Sequence, residues 1–256
     1  MFEINHIRNK FFDDGFFYLP SFLSSSKYFN DLLDNIRKIS LLRLEKISSK
    51  KYSFDELTLD QILYELLKMG ENNIAFINDV INSHQSILNL FNDEKIKKLV
   101  DNLLYCKSSF ICINNHKFRI QSPGRDDISN LPWHQDSHYN SMSTDNYSLA
   151  VWVSLSKIND ELGPVIFKKS SNKIGKTKKK KIIKPNGNPV YTIDENLINS
   201  REFEEVSIET NPGDVILIHM NVLHASGSNM SDISSKLSAQ ARYHQASSDN
   251  FLSQYD

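Results

Sequence analysis

Trp133-His134-Gln135-Asp136 sets the frame, because a His-x-Asp tripeptide on an extended segment points an imidazole and a carboxylate the same way. Both side chains can then reach one metal ion. A further histidine, His224, stands downstream, after the apolar run Val215-Ile-Leu-Ile-His219 and a short bend. Two imidazoles and one carboxylate on one face of an octahedron leave three coordination positions open, the pattern of non-haem iron(II) sites. The tripeptide alone is common, and the chain has eight histidines, so the flanking residues and their order decide its meaning.

Around this stretch the chain reads as short strands separated by turns. Ser109 to Ile113, Lys117 to Gln121, Leu149 to Leu155, Val165 to Lys168, Val206 to Glu209, Val215 to His219 and Leu237 to Tyr243 are the strand candidates. Asn211-Pro-Gly-Asp214 has Pro and Gly in adjacent central positions, as a type II turn requires. The first hundred residues read differently. Thr58-Leu-Asp-Gln61 has capping-box spacing, Ile62, Leu63, Leu66 and Leu67 follow on one helical stripe, and Gly70 is placed to close that helix in a left-handed conformation. Ile87, Leu88, Leu90, Phe91, Ile96, Leu99 and Val100 repeat the helical theme over 84–104. The expectation is a mainly β fold with flanking α-helices, a sandwich or barrel braced on one face.

Composition bounds the rest. The 256 residues are 39% hydrophobic and 24% charged, with a formal net charge of −1, so the chain can build a core and carries no global field suited to nucleic acid. Cys106 and Cys112 would lie about 20 Å apart on an extended segment, too far for a disulfide, and read as reduced thiols. No signal peptide or membrane-spanning stretch is evident, which gives a soluble, cytoplasmic expectation. The run from Lys168 to Lys184 is strongly basic and reads as a solvated mobile loop or as a lid that attracts an anionic substrate.

Six segments in sequence order carry a resemblance to the phytanoyl-CoA dioxygenase family of iron(II)/2-oxoglutarate oxygenases. They are Phe12-Asp-Asp-Gly15-Phe-Phe-Tyr-Leu-Pro20-Ser-Phe-Leu23; Arg119-Ile-Gln-Ser-Pro-Gly124; Pro132-Trp-His-Gln-Asp136-Ser-His-Tyr139; Ala150-Val-Trp152-Val-Ser-Leu155 with Glu161-Leu-Gly-Pro164; Pro212-Gly-Asp214-Val-Ile-Leu-Ile-His219; and His224-Ala-Ser226-Gly-Ser-Asn229-Met-Ser231. Residues 24–105 and the basic insert match poorly. The resemblance implies a double-stranded β-helix, the cupin-like jelly roll. It also implies a single oxygenase domain over 1–256, with 1–104 as mainly helical support and 105–246 as the core carrying the insert at 168–184.

By the same resemblance His134, Asp136 and His224 hold iron(II). 2-Oxoglutarate and O2 are consumed, succinate and CO2 are released, and an unactivated C–H bond of a small metabolite is hydroxylated. The retained carboxylate of Asp136 separates the chain from related halogenases, which lack it. Trp152 would line the co-substrate pocket and Ser226 would bond its carboxylate. The family's co-substrate arginine commonly lies eleven residues after the distal histidine, where this chain has Ser235. Lys236 follows at once and Arg242 lies six residues beyond it, so either is a candidate for the remote carboxylate, with Lys236 favoured. From the strand before the metal motif, Gln121 is expected inward and Arg119 toward solvent. His138 and Tyr139 are candidate substrate contacts, the former as i+2 from Asp136. His219 is expected to be a packed strand residue.

Two other classes remain compatible with the residues: a non-oxidative jelly-roll metalloprotein, either isomerase or small-molecule-binding module, and a paralogue that keeps the metal but has lost 2-oxoglutarate turnover. The substrate class is a small molecule, with the basic insert pointing to an anionic one.

Overall fold

The computed structural model describes residues 3–105, 109–111, 116–125, 129–139, 148–199 and 203–245. Cys106 and Cys112 lie outside them. Helix α1 (Ile4–Asp14) turns through Gly15, in a left-handed conformation at φ 88°, into strand β1 (Phe16–Leu19). Helices α2 (Lys27–Ser48), α3 (Leu59–Lys68), α4 (Glu71–Ser83), α5 (Gln85–Phe91) and α6 (Glu94–Leu103) follow. Then come β2 (Ser109–Ile111), β3 (Lys117–Gln121), β4 (Ser148–Ser154), β5 (Val165–Lys168), β6 (Lys180–Ile183) and β7 (Pro189–Thr192). A short helix α7 (Glu195–Asn199) precedes β8 (Glu205–Ile208), β9 (Val215–His219), β10 (Leu223–Ser226) and β11 (Lys236–Gln245). No helix among the described residues is long and apolar enough to cross a membrane.

Two facing antiparallel sheets form the expected jelly roll, and β6 and β7 pair as a separate two-stranded hairpin. The larger runs β1-β9-β4-β11-β2, with β3 also paired to β11; the smaller runs β10-β5-β8. One face of the large sheet presents Leu149, Val151, Val153, Val215, Leu217, Leu237, Ala239 and Tyr243 to the helices, in a core continuous with Leu32, Ile36, Ile62, Ile77 and Leu90. The alternate residues Ala150, Trp152, Ile216 and Ile218 face the smaller sheet and pack on Phe167, Ile208 and Val222. Strand periodicity therefore divides each strand between a helix-facing and a site-facing row.

Helix α4 closes the outer edge of β3 with side chains instead of another strand. Asn82 accepts from the Phe118 N–H at 2.7 Å and donates to the Phe118 carbonyl at 3.1 Å, and Asn78 accepts from the Ile120 N–H at 3.1 Å. This satisfies the edge without leaving it open to further pairing.

The capping box at Thr58 and Gln61 is formed, and Gly213 has the positive φ (88°) of the expected turn. The other expectations shift in detail. Gly70 has φ 128° and ψ 140°, outside the left-handed region, and opens α4, while Met69 ends α3. The helical stretch 84–104 is two helices, because Asp93 caps a fresh start by accepting from the Lys95 N–H at 2.8 Å. Strands β1, β6, β7 and β10 add to the expected set.

Candidate metal centre

His134 and His224 are brought together by backbone. Each donates its N–H to the other's carbonyl, at 3.0 and 3.1 Å, in an isolated antiparallel bridge that ties the metal-motif segment to β10. Their rings lie 4.2 Å apart between centroids. His134 Nδ1 is 2.7 Å from the Pro132 carbonyl and His224 Nδ1 is 3.1 Å from the Val222 carbonyl. A carbonyl only accepts, so both Nδ1 atoms carry the proton and both Nε2 lone pairs are left for a ligand. Gln135 is extended, and Asp136 opens a 3₁₀ turn over Asp136–His138 that swings its carboxylate to the same side.

One potential ligand atom from each of His134, Asp136 and His224 lies within 4.8 Å of the others, and all three residues are buried. Burial pushes both histidines below their usual range. For His134 the neighbouring His224 adds to this, and in both cases the attraction of Asp136 does not overcome it. Burial alone would raise the Asp136 carboxyl. Arg242, His224 and His134 outweigh it and hold Asp136 ionised, well below the usual carboxylate range. Arg242 Nη2 donates to Asp136 Oδ1 at 2.5 Å, while Asp136 Oδ2 is buried with no hydrogen-bond partner among the described residues. Two neutral imidazoles and an ionised carboxylate with an orphaned oxygen match the donor set of a divalent metal.

The lysine-rich segment is not a free loop: it is seated on the metal motif. Gln135 donates to the carbonyls of Gly175 and Asn221 at 2.9 and 2.7 Å and accepts from the Thr177 N–H at 2.8 Å. Lys179 donates to the His138 carbonyl at 2.9 Å, and Thr192 Oγ1 donates to the Trp133 carbonyl at 3.0 Å. His138 consequently faces the insert, with Nε2 3.1 Å from the Thr177 carbonyl, and is not among the residues lining the cavity. The expected i+2 relation to Asp136 fails because the two residues sit on a 3₁₀ turn, where side chains advance by about 120° per residue. Tyr139 packs edge-on against His134 at 5.6 Å and accepts from the Tyr191 N–H at 2.9 Å, also outside the cavity lining.

A cavity of about 460 Å³ extends from His134 and His224 toward α4, with Trp152, Ser226, Gln121 and Lys236 in its walls. Lys236 Nζ donates to the carbonyls of Gly163 and Gly227 at 2.6 and 3.3 Å. Those carbonyls converge because the two glycines touch: a Cβ on Gly163 would stand 2.3 Å from the Gly227 backbone. Arg242 is engaged with Asp136, so of the two candidate cations Lys236 is the one in the cavity wall. Arg119 corrects the sequence expectation. Residues i and i+2 of a strand share a face, so Arg119 points inward with Gln121; the two pair with Ser238 and Lys236 of β11, and both line the cavity. That parity was the available signal. His219 is a packed strand residue as expected, its ring tilted against Phe11 and edge-on to Phe12.

The family model described as phytanoyl-CoA dioxygenase (PhyH) matches residues 11–236. No curated protein matches the chain by sequence. Among solved structures, the chain is similar to the epimerase SnoN in complex with Fe3+, alpha ketoglutarate and nogalamycin RO, at TM-score 0.62 and 15% identity, covering 95% of this chain and 84% of that one. It is similar to EctD from S. alaskensis with 2-oxoglutarate and 5-hydroxyectoine, at TM-score 0.56 and 17% identity over 94% and 75% of the two chains. It is also similar to SnoK, a non-heme alpha ketoglutarate dependent carbocyclase from nogalamycin biosynthesis, at TM-score 0.58 and 14% identity over 97% and 89%. At these identities the likeness establishes the fold.

Proposed function

The chain belongs to the phytanoyl-CoA dioxygenase family, and from that premise we propose that it is an iron(II)- and 2-oxoglutarate-dependent oxygenase hydroxylating an unactivated C–H bond of a small molecule. The observation that carries this reading is the buried His134–Asp136–His224 cluster with its orphaned carboxylate oxygen. Residues 1–256 act as one oxygenase domain, since helices and sheet share a core.

Iron bound there, with 2-oxoglutarate and O2, supplies the oxidising power: substrate, 2-oxoglutarate and O2 become hydroxylated product, succinate and CO2. The chain's own residues bind and orient. His134 and His224 present Nε2, fixed in tautomer by the Pro132 and Val222 carbonyls. Arg242 holds Asp136 through Oδ1, which would fix the carboxylate beside the two imidazoles as a metal ligand. Lys236 pairs with the remote carboxylate of 2-oxoglutarate, Ser226 and Gln121 add polar contacts, and Trp152 walls the pocket against water. A lysine is a point charge, so this contact is less directional than an arginine fork.

Titration of the anaerobic protein with iron(II) and 2-oxoglutarate tests the reading. The expected result is the weak visible charge-transfer band of iron-bound 2-oxoglutarate, followed in air by succinate release. A protein that binds metal without the band and without succinate is a non-oxidative metalloprotein or a paralogue without turnover. The likeness to an epimerase and a carbocyclase favours a second outcome of the same oxidation, without oxygen insertion. Product mass separates the two.

A further inference from the structure

We propose that Arg119 binds an anionic group of the primary substrate, which restricts this cavity to carboxylate- or phosphoryl-bearing molecules. The proposal rests on the oxygenase reading above, in which Lys236 takes the co-substrate.

Arg119 lines the cavity from β3, opposite Ser238 of β11. Its Nε is buried without a hydrogen-bond partner, and no hydrogen bond or ion pair reaches its guanidinium among the described residues. The cations around it are differently placed. Lys236 bonds the Gly163 and Gly227 carbonyls, Arg242 bonds Asp136, and Arg125 pairs with Glu71. Of the carboxylates nearby, Glu71 is taken by Arg125 and Asp136 is held by Arg242, while Asp79 lines the same cavity from α4 and makes no ion pair with Arg119 among the described residues. A guanidinium turned into a cavity with its donors unspent is costly, and a planar or tetrahedral anion resolves that cost with paired hydrogen bonds.

Position assigns the anion to the substrate. The charged neighbours of Arg119 on the metal's side are Arg242 and Asp136, and Lys117 lies beside it on the same strand. Lys236 sits instead at the Gly163–Gly227 contact. 2-Oxoglutarate has one remote carboxylate, and a second cation at a different place calls for a second anion. The β6–β7 hairpin adds to this: Asn186 and Asn188 of its turn line the same cavity, and Lys178, Lys179, Lys180 and Lys181 are exposed beside it. Together they give the approach a positive field.

Benzoate and benzamide, matched in shape and differing in charge, provide the probe. Each is titrated calorimetrically into the anaerobic protein loaded with iron(II) and 2-oxoglutarate. Benzoate should bind at least about tenfold more tightly than benzamide, as a charge-assisted pair implies. Arg119→Gln should erase that preference while leaving 2-oxoglutarate affinity within about twofold, and Arg119→Lys should keep part of it. Equal binding of the two probes by the wild type, absence of benzoate binding, or a preference that survives Arg119→Gln overturns the proposal. So does a tenfold loss of 2-oxoglutarate affinity in Arg119→Gln, which would make Arg119 the co-substrate anchor. Should the charge-transfer band never form, the oxygenase reading fails separately. The same titrations of the metal-free protein then decide Arg119, whose preference must vanish in Arg119→Gln and survive Lys236→Met.

Discussion

The two faces of β11 are both buried and chemically opposite. Along β11, Leu237, Ala239, Ala241 and Tyr243 point to the helices, while Lys236, Ser238 and Gln240 line the cavity and Arg242, on the same row, bonds Asp136. The first row is stabilised by hydrocarbon contact and has little chemistry to offer. The second buries two cations and two hydrogen-bonding groups, which in isolation would destabilise the strand. Alternation lets one strand do both, because its anchoring face is fixed by the helical layer regardless of what the other face carries. Helices α2 to α6, which lie within the span matched by the family model, are thus the support for a polar inner wall.

His134→Ala cuts deepest on the cavity side alone. Iron content should fall to background, and succinate release should fall at least about a hundredfold, since losing an outer partner of a metal ligand already costs up to that much. The denaturation midpoint of the metal-free protein should move little. Unchanged iron content would remove His134 from the ligand set.

Adjacent residues give the most direct contrast between the faces. Leu237→Ala should cost about 2–5 kcal/mol of stability, read from denaturant unfolding, with 2-oxoglutarate affinity of the folded fraction intact. Lys236→Met should do the reverse. Replacing a buried charge by an apolar side chain of similar length is often near neutral for stability, whereas 2-oxoglutarate affinity should drop at least about tenfold. Matching stability losses with no affinity change in Lys236→Met would erase the division.

How much of this was legible depends on the range of the signal. The capping box at Thr58, the turn at Gly213 and strands β3, β5 and β9 are written in adjacent residues and emerge with little change. The Trp133–Asp136 motif is equally local, and His224 became readable through its flanking segment. The lysine-rich hairpin was hidden because its charges suggested solvent, although Lys179 and Lys184 spend their ammonium groups on the carbonyls of His138 and Asn130. His138 was misplaced because extended parity was carried one step into a 3₁₀ turn. Arg119 shares the face of Gln121 despite its charge, because residues two apart on a strand point the same way. The Gly163–Gly227 contact joins distant turns and has no local signature.

Acid tests the cavity face by a smaller effect. In the metal-free protein, burial holds His134 and His224 below their usual range, so the native state resists protonation. The unfolded chain takes up those protons as pH falls through about 6.5. Between that value and the lowered native ones, the unfolded state binds more protons, so stability rises with pH and is lost on acidification. The slope is up to about 1.4 kcal/mol per pH unit for each histidine. Asp136 acts in a lower window. Its native carboxyl is held down, so its contribution is present above about 3.9 and is lost only as pH falls beyond that. Denaturant midpoints at pH 7.5, 6.5 and 5.5 should therefore fall, more steeply over the second interval than the first, and changing Leu237 should leave that profile alone. A sharper consequence concerns metal uptake. Ligands that are already deprotonated release no protons on binding, so calorimetry at pH 6.5 in buffers of different ionisation heat should find nearly none. Release approaching half a proton per histidine would mean that the imidazoles titrate as if in water, and the neutral inner wall would have to be abandoned.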